Sequence, residues 1–180
     1  MLYMFFADGF EEVEAIAALD VIRRAGIEIK SVGIGSETVT GSHGISVVCD
    51  ITEDKIIDFN SVDGVILPGG MPGTTNLYAN DTVIKAVEYC AENGFLLAAI
   101  CAAPLILGRK NLLDGKEATC FPGFEDELKG AKISSNYVCT SGNVITARGM
   151  GSAVNFGVEI VSYFKGQDFA AELKSSLQCS

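Results

Sequence analysis

The run Phe95-Leu96-Leu97-Ala98-Ala99-Ile100-Cys101-Ala102-Ala103-Pro104 decides the fold. Its apolar half follows Gly94 and is short and unbroken, the pattern of a strand buried on both faces of a parallel sheet. It stops at a cysteine. Two small residues follow, then Pro104 and the apolar Leu105-Ile106-Leu107. Proline suits the first turn of a helix, where its missing N–H is not needed. Cys101 is therefore placed between the carboxyl end of a strand and the start of a helix. A nucleophile on such a turn needs small neighbours, and Ala102 and Ala103 supply them. The helix dipole and free amides at that point favour a thiolate. Cysteine is also among the most buried residue types, so a packed thiol and a nucleophile are both open readings of this segment.

Outward from this run, strand-like and helix-like segments alternate along the whole chain. Leu2–Ala7 is an apolar strand, broken by Asp8-Gly9. Residues 11–25 place Val13, Ile16, Ala17, Leu19, Asp20, Val21 and Arg24 at helical spacing, with Gly26 as the stop. Ile27–Val32 reads as a strand, and the Gly/Ser/Thr-rich residues 33–50 as a hairpin or edge excursion. Val65–Leu67 is a short buried strand ending in Pro68-Gly69-Gly70. Asp81–Glu92 is a helix with Val83, Ile84, Val87 and Cys90 on one face. Lys116–Cys120, Ile133–Cys139 and Val144–Ala147 read as strands, and Val154–Phe164 as an amphipathic helix followed by a polar, helix-prone tail. Such alternation predicts one α/β domain over residues 1–180, a mostly parallel sheet covered on both faces. Ligands in such sheets bind beyond the carboxyl ends of the strands. That rule points to Asp8-Gly9, Pro68-Gly69-Gly70, Cys101 and Arg148-Gly149.

Composition narrows the function. With 48% hydrophobic residues among 180, the chain can bury a sizeable core, and no apolar run approaches a membrane span. Residues 1–7 lack the basic leader and cleavage site of a signal peptide, so a cytoplasmic protein without membrane contact is expected. A net charge of −10 repels a phosphate backbone, so sequence-independent nucleic-acid binding is not expected. The six cysteines form no CxxC pair and the single histidine is His43, so no Cys/His metal site is expected. Without an export signal, six reduced thiols are the default.

The Gly69-Gly70 pair lets the backbone turn sharply and present N–H groups, which could hold an oxyanion opposite Cys101. Acids in a first helical turn complement the dipole, so Glu11 and Glu12 read as solvated helix starters. Glu14 lies on the helix side shared with Val21. A partly buried, protonated acid there could donate to a thiolate or move a proton. Gly33-Ile34-Gly35 and Gly149-Met150-Gly151 lack the third glycine of a dinucleotide fingerprint, and no Walker lysine or GxSxG serine is present. No cofactor is expected. An acidic loop after the first strand disfavours a flavin phosphate. His43, within Gly41-Ser42-His43-Gly44, reads as a solvated loop residue or as a group reaching a site across a dimer.

Four motifs, in order, carry a family resemblance: Asp8-Gly9-Phe10-Glu11-Glu12-Val13-Glu14, Leu67-Pro68-Gly69-Gly70, Ala98-Ala99-Ile100-Cys101-Ala102-Ala103-Pro104 and Thr146-Ala147-Arg148-Gly149-Met150-Gly151-Ser152. Together they resemble the ThiJ/PfpI family, in its DJ-one and YajL-like branch, over essentially the whole chain. The resemblance implies a flavodoxin-like, class I glutamine-amidotransferase-like three-layer sandwich and a homodimer. It implies a reactive cysteine at Cys101, hydrogen-bonded to a protonated glutamate at Glu14, with backbone amides from Gly70 and Ala102. Gly69 and Arg148 neighbour that site. Two departures stand out. Ala102 occupies the place of the histidine that protease-like members carry, which argues against peptidase activity. Phe121, before Pro122, occupies the place where deglycase-like members often carry a histidine, and Cys120 beside it suggests a second thiol near Cys101. His43 falls where members often have a basic residue reaching the partner subunit's site.

The expected activity is cysteine-dependent processing of glyoxal-type aldehydes, or of their early adducts on protein or nucleotide, through a Cys101 hemithioacetal with Glu14 as proton shuttle. The alternative is a redox sensor or stress-linked chaperone in which Cys101 oxidises to sulfinic acid without substantial turnover.

Overall fold

A computed structural model describes residues 1–179. Seven strands form the central sheet, in the order β10-β11-β7-β6-β1-β2-β5. They are β1 (Leu2–Phe6), β2 (Ile29–Gly33), β5 (Ile51–Thr52), β6 (Gly64–Leu67), β7 (Leu96–Ile100), β10 (Val138–Ser141) and β11 (Val144–Ala147). All neighbours run parallel except β10 and β11, which form an antiparallel pair at one edge. Two small ladders stand apart, β3 (Thr38–Thr40) with β4 (Ser46–Val48) and β8 (Glu117–Ala118) with β9 (Lys132–Ile133). The helices are α1 (Glu12–Arg24), α2 (Gly73–Ala79), α3 (Asp81–Glu92), α4 (Pro104–Arg109), α5 (Ala153–Lys165) and α6 (Gln167–Ser176).

The continuous apolar strands divide their side chains between two layers, as the two-residue strand period requires. Leu2, Met4, Phe6, Ile66, Leu96, Ala98 and Ile100 point to one core, which α1, α5 and α6 cover. Tyr3, Phe5, Val65, Leu67, Leu97 and Ala99 point to the other, beneath α3 and α4. The result is the mostly parallel, doubly covered sheet expected from the alternation, in the flavodoxin-like three-layer sandwich that the resemblance implies. A Cβ on Gly157 would meet Val21 Cβ at 2.9 Å, so the bare glycine sets how closely α5 crosses α1. Among the described residues, no helix is long and apolar enough to cross a membrane.

Several local expectations change. Ile133–Cys139 is not one strand: residues 134–137 separate β9 from β10. The strand expected from Ile27 begins at Ile29, and that expected over Lys116–Cys120 is only Glu117–Ala118. Helix α2 had no apolar periodicity to reveal it, since only Leu77 of its larger side chains is buried. Helix α1 is rotated relative to its expected face. Val13 and Ile16 are exposed, Asp20 and Arg24 pair on the surface, and the buried set is Ala15, Ala18, Leu19, Val21 and Ile22 with Glu12 and Glu14.

Glu12 is not a solvated helix starter. It is 5% exposed and accepts from the backbone N–H of His43 at 2.6 Å, with His43 Nδ1 at 2.9 Å from its other oxygen. Gly41 lies so close that any Cβ there would strike this carboxylate. The His43 side chain and the amides of His43 and Ile45 hold Glu12 well below the usual carboxylate range, at about 2, against the opposing effect of burial. The carboxylate thereby ties the loop between β3 and β4 to the start of α1. We expect Glu12→Ala to cost roughly 1–3 kcal/mol, the range for hydrogen bonds to charged groups, in urea unfolding at pH 7. Because the folded pKa of Glu12 is depressed, this contribution is complete above its unfolded value of 4.5 and is lost as pH falls towards 2. The Glu12→Ala penalty should therefore shrink across that window; a penalty constant down to pH 2 would refute the assignment.

Candidate active site

The site is assembled where four parallel strands end. Strand β7 delivers Cys101, which lies in the left-handed region at φ 65°. A non-glycine residue there costs about 1–3 kcal/mol and persists only where its surroundings fix it. Here three hydrogen bonds do so. The Cys101 N–H donates to Ala147 O on β11 at 2.8 Å, and Phe121 N–H donates to Cys101 O at 2.8 Å. The Ala103 N–H turns back to Ile100 O at 3.0 Å. Strand β6 ends in the glycine turn. A Cβ on Gly69 would lie 2.5 Å from Cys101 Cβ and 2.6 Å from Glu14 Oε2. Gly70 takes φ 88° and packs on the Glu11 amide. Gly69 is dictated by contact with Cys101 and Glu14, and Gly70 by its positive φ and the backbone of residues 9–11.

Helix α1 carries Glu14 into this corner, with Glu11 capping the helix by accepting from the Glu14 N–H at 2.7 Å. Glu14 is 1% exposed. Its Oε2 accepts from Gly69 N–H at 3.0 Å, the Met150 amide also donates to the carboxyl, and its side chain hydrogen-bonds Cys101. Burial, with help from the Glu11 charge, pushes Glu14 up to about 7. Burial and then the charge and hydrogen bond of Glu14 push the Cys101 thiol up to about 12, against the amides of Gly70 and Ala102 that face the sulfur. Two adjacent negative charges are disfavoured in this apolar corner, so the pair sheds its first proton at about pH 7 and holds the second well above. Burial and the neighbouring carboxyl thus work against a free thiolate at Cys101. The dipole argument also weakens: α4 has only six residues and starts three positions after Cys101. The amides on the sulfur come from Gly70 and Ala102 instead.

Thus Cys101, Glu14, Gly69, Gly70 and Ala102 are brought together, while His43 is not. Its exposed ring pairs with Glu12 of its own chain. Cys120 adjoins the site only through the backbone of Phe121. Its thiol is buried in the core beneath α3 and α4, whereas Cys101 packs against the opposite core. Burial raises Cys120 to about 11. Arg148 lies beside the site, its N–H donating to Tyr137 O at 2.9 Å and its guanidinium 5.6 Å from the Tyr137 ring centroid. The Met150 amide on Glu14 was not anticipated, although Arg148-Gly149 had marked that strand end. Among the described residues, Glu11, Glu12 and His43 come within ligating reach of one another. Their acceptor atoms are already engaged by the cap of α1 and the loop amides.

Comparison with known proteins bears on this geometry. Residues 1–163 match the DJ-1/PfpI family. The Danio rerio Parkinson disease protein 7 homolog is 34% identical over 175 residues, covering 95% of this chain and 93% of that protein. The Caenorhabditis elegans glutathione-independent glyoxalase DJR-1.2 is 30% identical over 160 residues, 88% of this chain and 84% of that protein. The structure of oxidized Toxoplasma gondii DJ-1 superposes with a TM-score of 0.94 at 28% identity, over 99% of this chain and 98% of that one. The match to the longer Arabidopsis thaliana DJ-1 homolog B spans 39% of that protein's length. With its fold, its cysteine elbow and its sequence in agreement, the chain belongs to the DJ-1/PfpI family.

Proposed function

We propose that this protein is a cofactor-independent, glyoxalase-type enzyme that converts 2-oxoaldehydes, free or as early adducts on protein or nucleotide, to 2-hydroxy acids. The observation that carries this reading is the half-buried Cys101 against the buried Glu14 carboxyl, with the Gly70 and Ala102 amides facing the sulfur. Cys101 Sγ adds to the aldehyde carbon, forming an S–C bond as the C=O π bond opens. The proton held by the pair goes to the new oxygen, which the Gly70 and Ala102 amides stabilise as it gains charge. Glu14 then takes the proton from that carbon and returns it to the neighbouring ketone carbon, while the hydroxyl proton on the first oxygen passes to the ketone oxygen. The aldehyde carbon is oxidised to a thioester and the ketone reduced to an alcohol, with no outside oxidant. Water cleaves the thioester, releasing the 2-hydroxy acid and the thiol. Glu14 suits this task because a proton carrier works best with a pKa near the working pH. The name of the Caenorhabditis elegans relative points the same way.

Redox sensing is the second reading. Cys101 is one of two cysteines, with Cys179, that are not buried among the described residues, and the similar Toxoplasma gondii structure is an oxidized form. Two equivalents of peroxide would carry the thiol to sulfinic acid, each releasing water, with the site amides as donors to the new oxygens.

A second copy of the chain is the proposed partner. Val13, Ile16, Ile45 and Val48 are exposed along two adjoining grooves between α1 and the β3–β4 hairpin. The Arg23–Asp50 and Arg24–Asp20 pairs on this side offer both signs of charge for a self-complementary contact.

Methylglyoxal consumption with lactate detection tests the enzyme. Cys101→Ala should abolish turnover, and Glu14→Gln should reduce kcat by about 10²-fold or more. In the wild type, kcat/KM should rise through about pH 7, where the pair sheds its first proton, and Glu14→Gln should lose that inflection. Full activity in Cys101→Ala would sink the mechanism. Intact-mass measurement after mild peroxide tests sensing: selective addition of two oxygens at Cys101 with negligible turnover would favour it over catalysis. Sedimentation should show a dimer at micromolar concentration that Ile16→Asp converts to monomer; an unchanged sedimentation coefficient would refute this interface.

A further inference from the structure

A cleft of about 340 Å³ lies at the mouth of the site, lined by Phe121, Pro122, Tyr137, Arg148 and Met150. Its walls are apolar and bare: Phe121 is 48% exposed, Met150 54% and Tyr137 68%. Large apolar groups held open to solvent beside a reactive centre mark a ligand surface rather than a folding need. The cleft adjoins the Cys101–Glu14 pair across Gly149. A Cβ on Gly149 would meet the Phe121 ring at 3.3 Å and Glu14 Oε1 at 3.9 Å, so that glycine alone separates wall from carboxyl. The Phe121 backbone is bonded to the Cys101 carbonyl, and the Met150 amide to Glu14. The Arg148 guanidinium against the Tyr137 ring steadies the outer wall. Methylglyoxal has only a methyl group to place here, and the cleft is far larger than that.

We propose that Phe121, Tyr137 and Met150 form an apolar subsite that selects 2-oxoaldehydes bearing an aryl or long alkyl group over methylglyoxal. The proposal rests on the glyoxalase-type reading above and names its substrate class. The bonds made and broken are those already described; the aryl group, attached to the ketone carbon, is a spectator that lies in the cleft while sulfur adds to the aldehyde carbon. Phe121 is a specificity residue in this scheme. It supplies a flat apolar face and no proton.

The test compares phenylglyoxal with methylglyoxal, each corrected for its unhydrated fraction, in the wild type, Phe121→Ala and Tyr137→Ala. A second measurement records how well mandelate and lactate protect Cys101 from alkylation by iodoacetamide, read by mass. The wild type should favour phenylglyoxal by about tenfold or more in kcat/KM, as burial of added apolar surface gives. The ratio should fall towards one in both variants, with unchanged circular dichroism. Mandelate should protect at about tenfold lower concentration than lactate. Equal kcat/KM values together with equal protection would overturn the subsite. If neither aldehyde is turned over, the glyoxalase-type reading fails, and the mandelate–lactate comparison alone decides the subsite: preferential protection by mandelate, lost in Phe121→Ala, supports it, and equal protection overturns it.

Discussion

The structure around the site depends on holding Cys101 at φ 65°. An L-residue does not stay in that conformation by itself. It is held by a hydrogen bond donated to Ala147 O of β11 on one side and one accepted from the Phe121 N–H on the other. These segments are distant in sequence, so the elbow exists only after the sheet has formed. The same geometry dictates its surroundings. Gly69 must lack a side chain because Cys101 and Glu14 occupy the space, and Ala102 and Ala103 are small because they turn directly into the core beneath α4. The reactive corner is thus a product of packing, with the strain of one residue offset by the order of many.

Helix α1 shows how position decides the state of an acid. Glu12 and Glu14 are two residues apart and both are buried. Glu12 is surrounded by the His43 side chain and two loop amides, and its charge is stabilised down to about pH 2. Glu14 faces a thiol, with fewer donors and another acid close by, and its first ionisation is delayed to about pH 7. Two identical side chains on one helix therefore ionise far apart, one held as an anion and the other kept protonated towards neutral pH. The difference comes from the hydrogen-bond donors that distant loops bring to each.

Much of this was legible in the sequence where a residue's neighbours are close in the chain. The apolar strands, the elbow at Cys101 and the glycine turn at Gly69-Gly70 all follow from short-range patterns. The identity of the strand ends as the ligand edge follows from the parallel sheet. Glu12 was misread because its partners lie about thirty positions away, on a loop whose composition gave no hint of contact. The face of α1 differs from the expected one because two of its apolar residues, Val13 and Ile16, point outward, while two acids point inward. Cys120 neighbours Phe121 in the chain, but its thiol packs into the core beneath α3 and α4 while Cys101 packs against the opposite one, a partition that sequence order does not show.

By itself, then, the sequence determined the α/β class, the family resemblance and the residues that meet at the sheet edge, because periodicity, small-residue turns and strand length act locally. Only the tertiary structure decided that Glu14 is buried against Cys101, that His43 serves Glu12, and that Phe121, Tyr137 and Met150 open a cleft beside the site. The physical reason is that desolvation, charge and contact are set by groups far apart in the chain, which only packing brings within reach of each other.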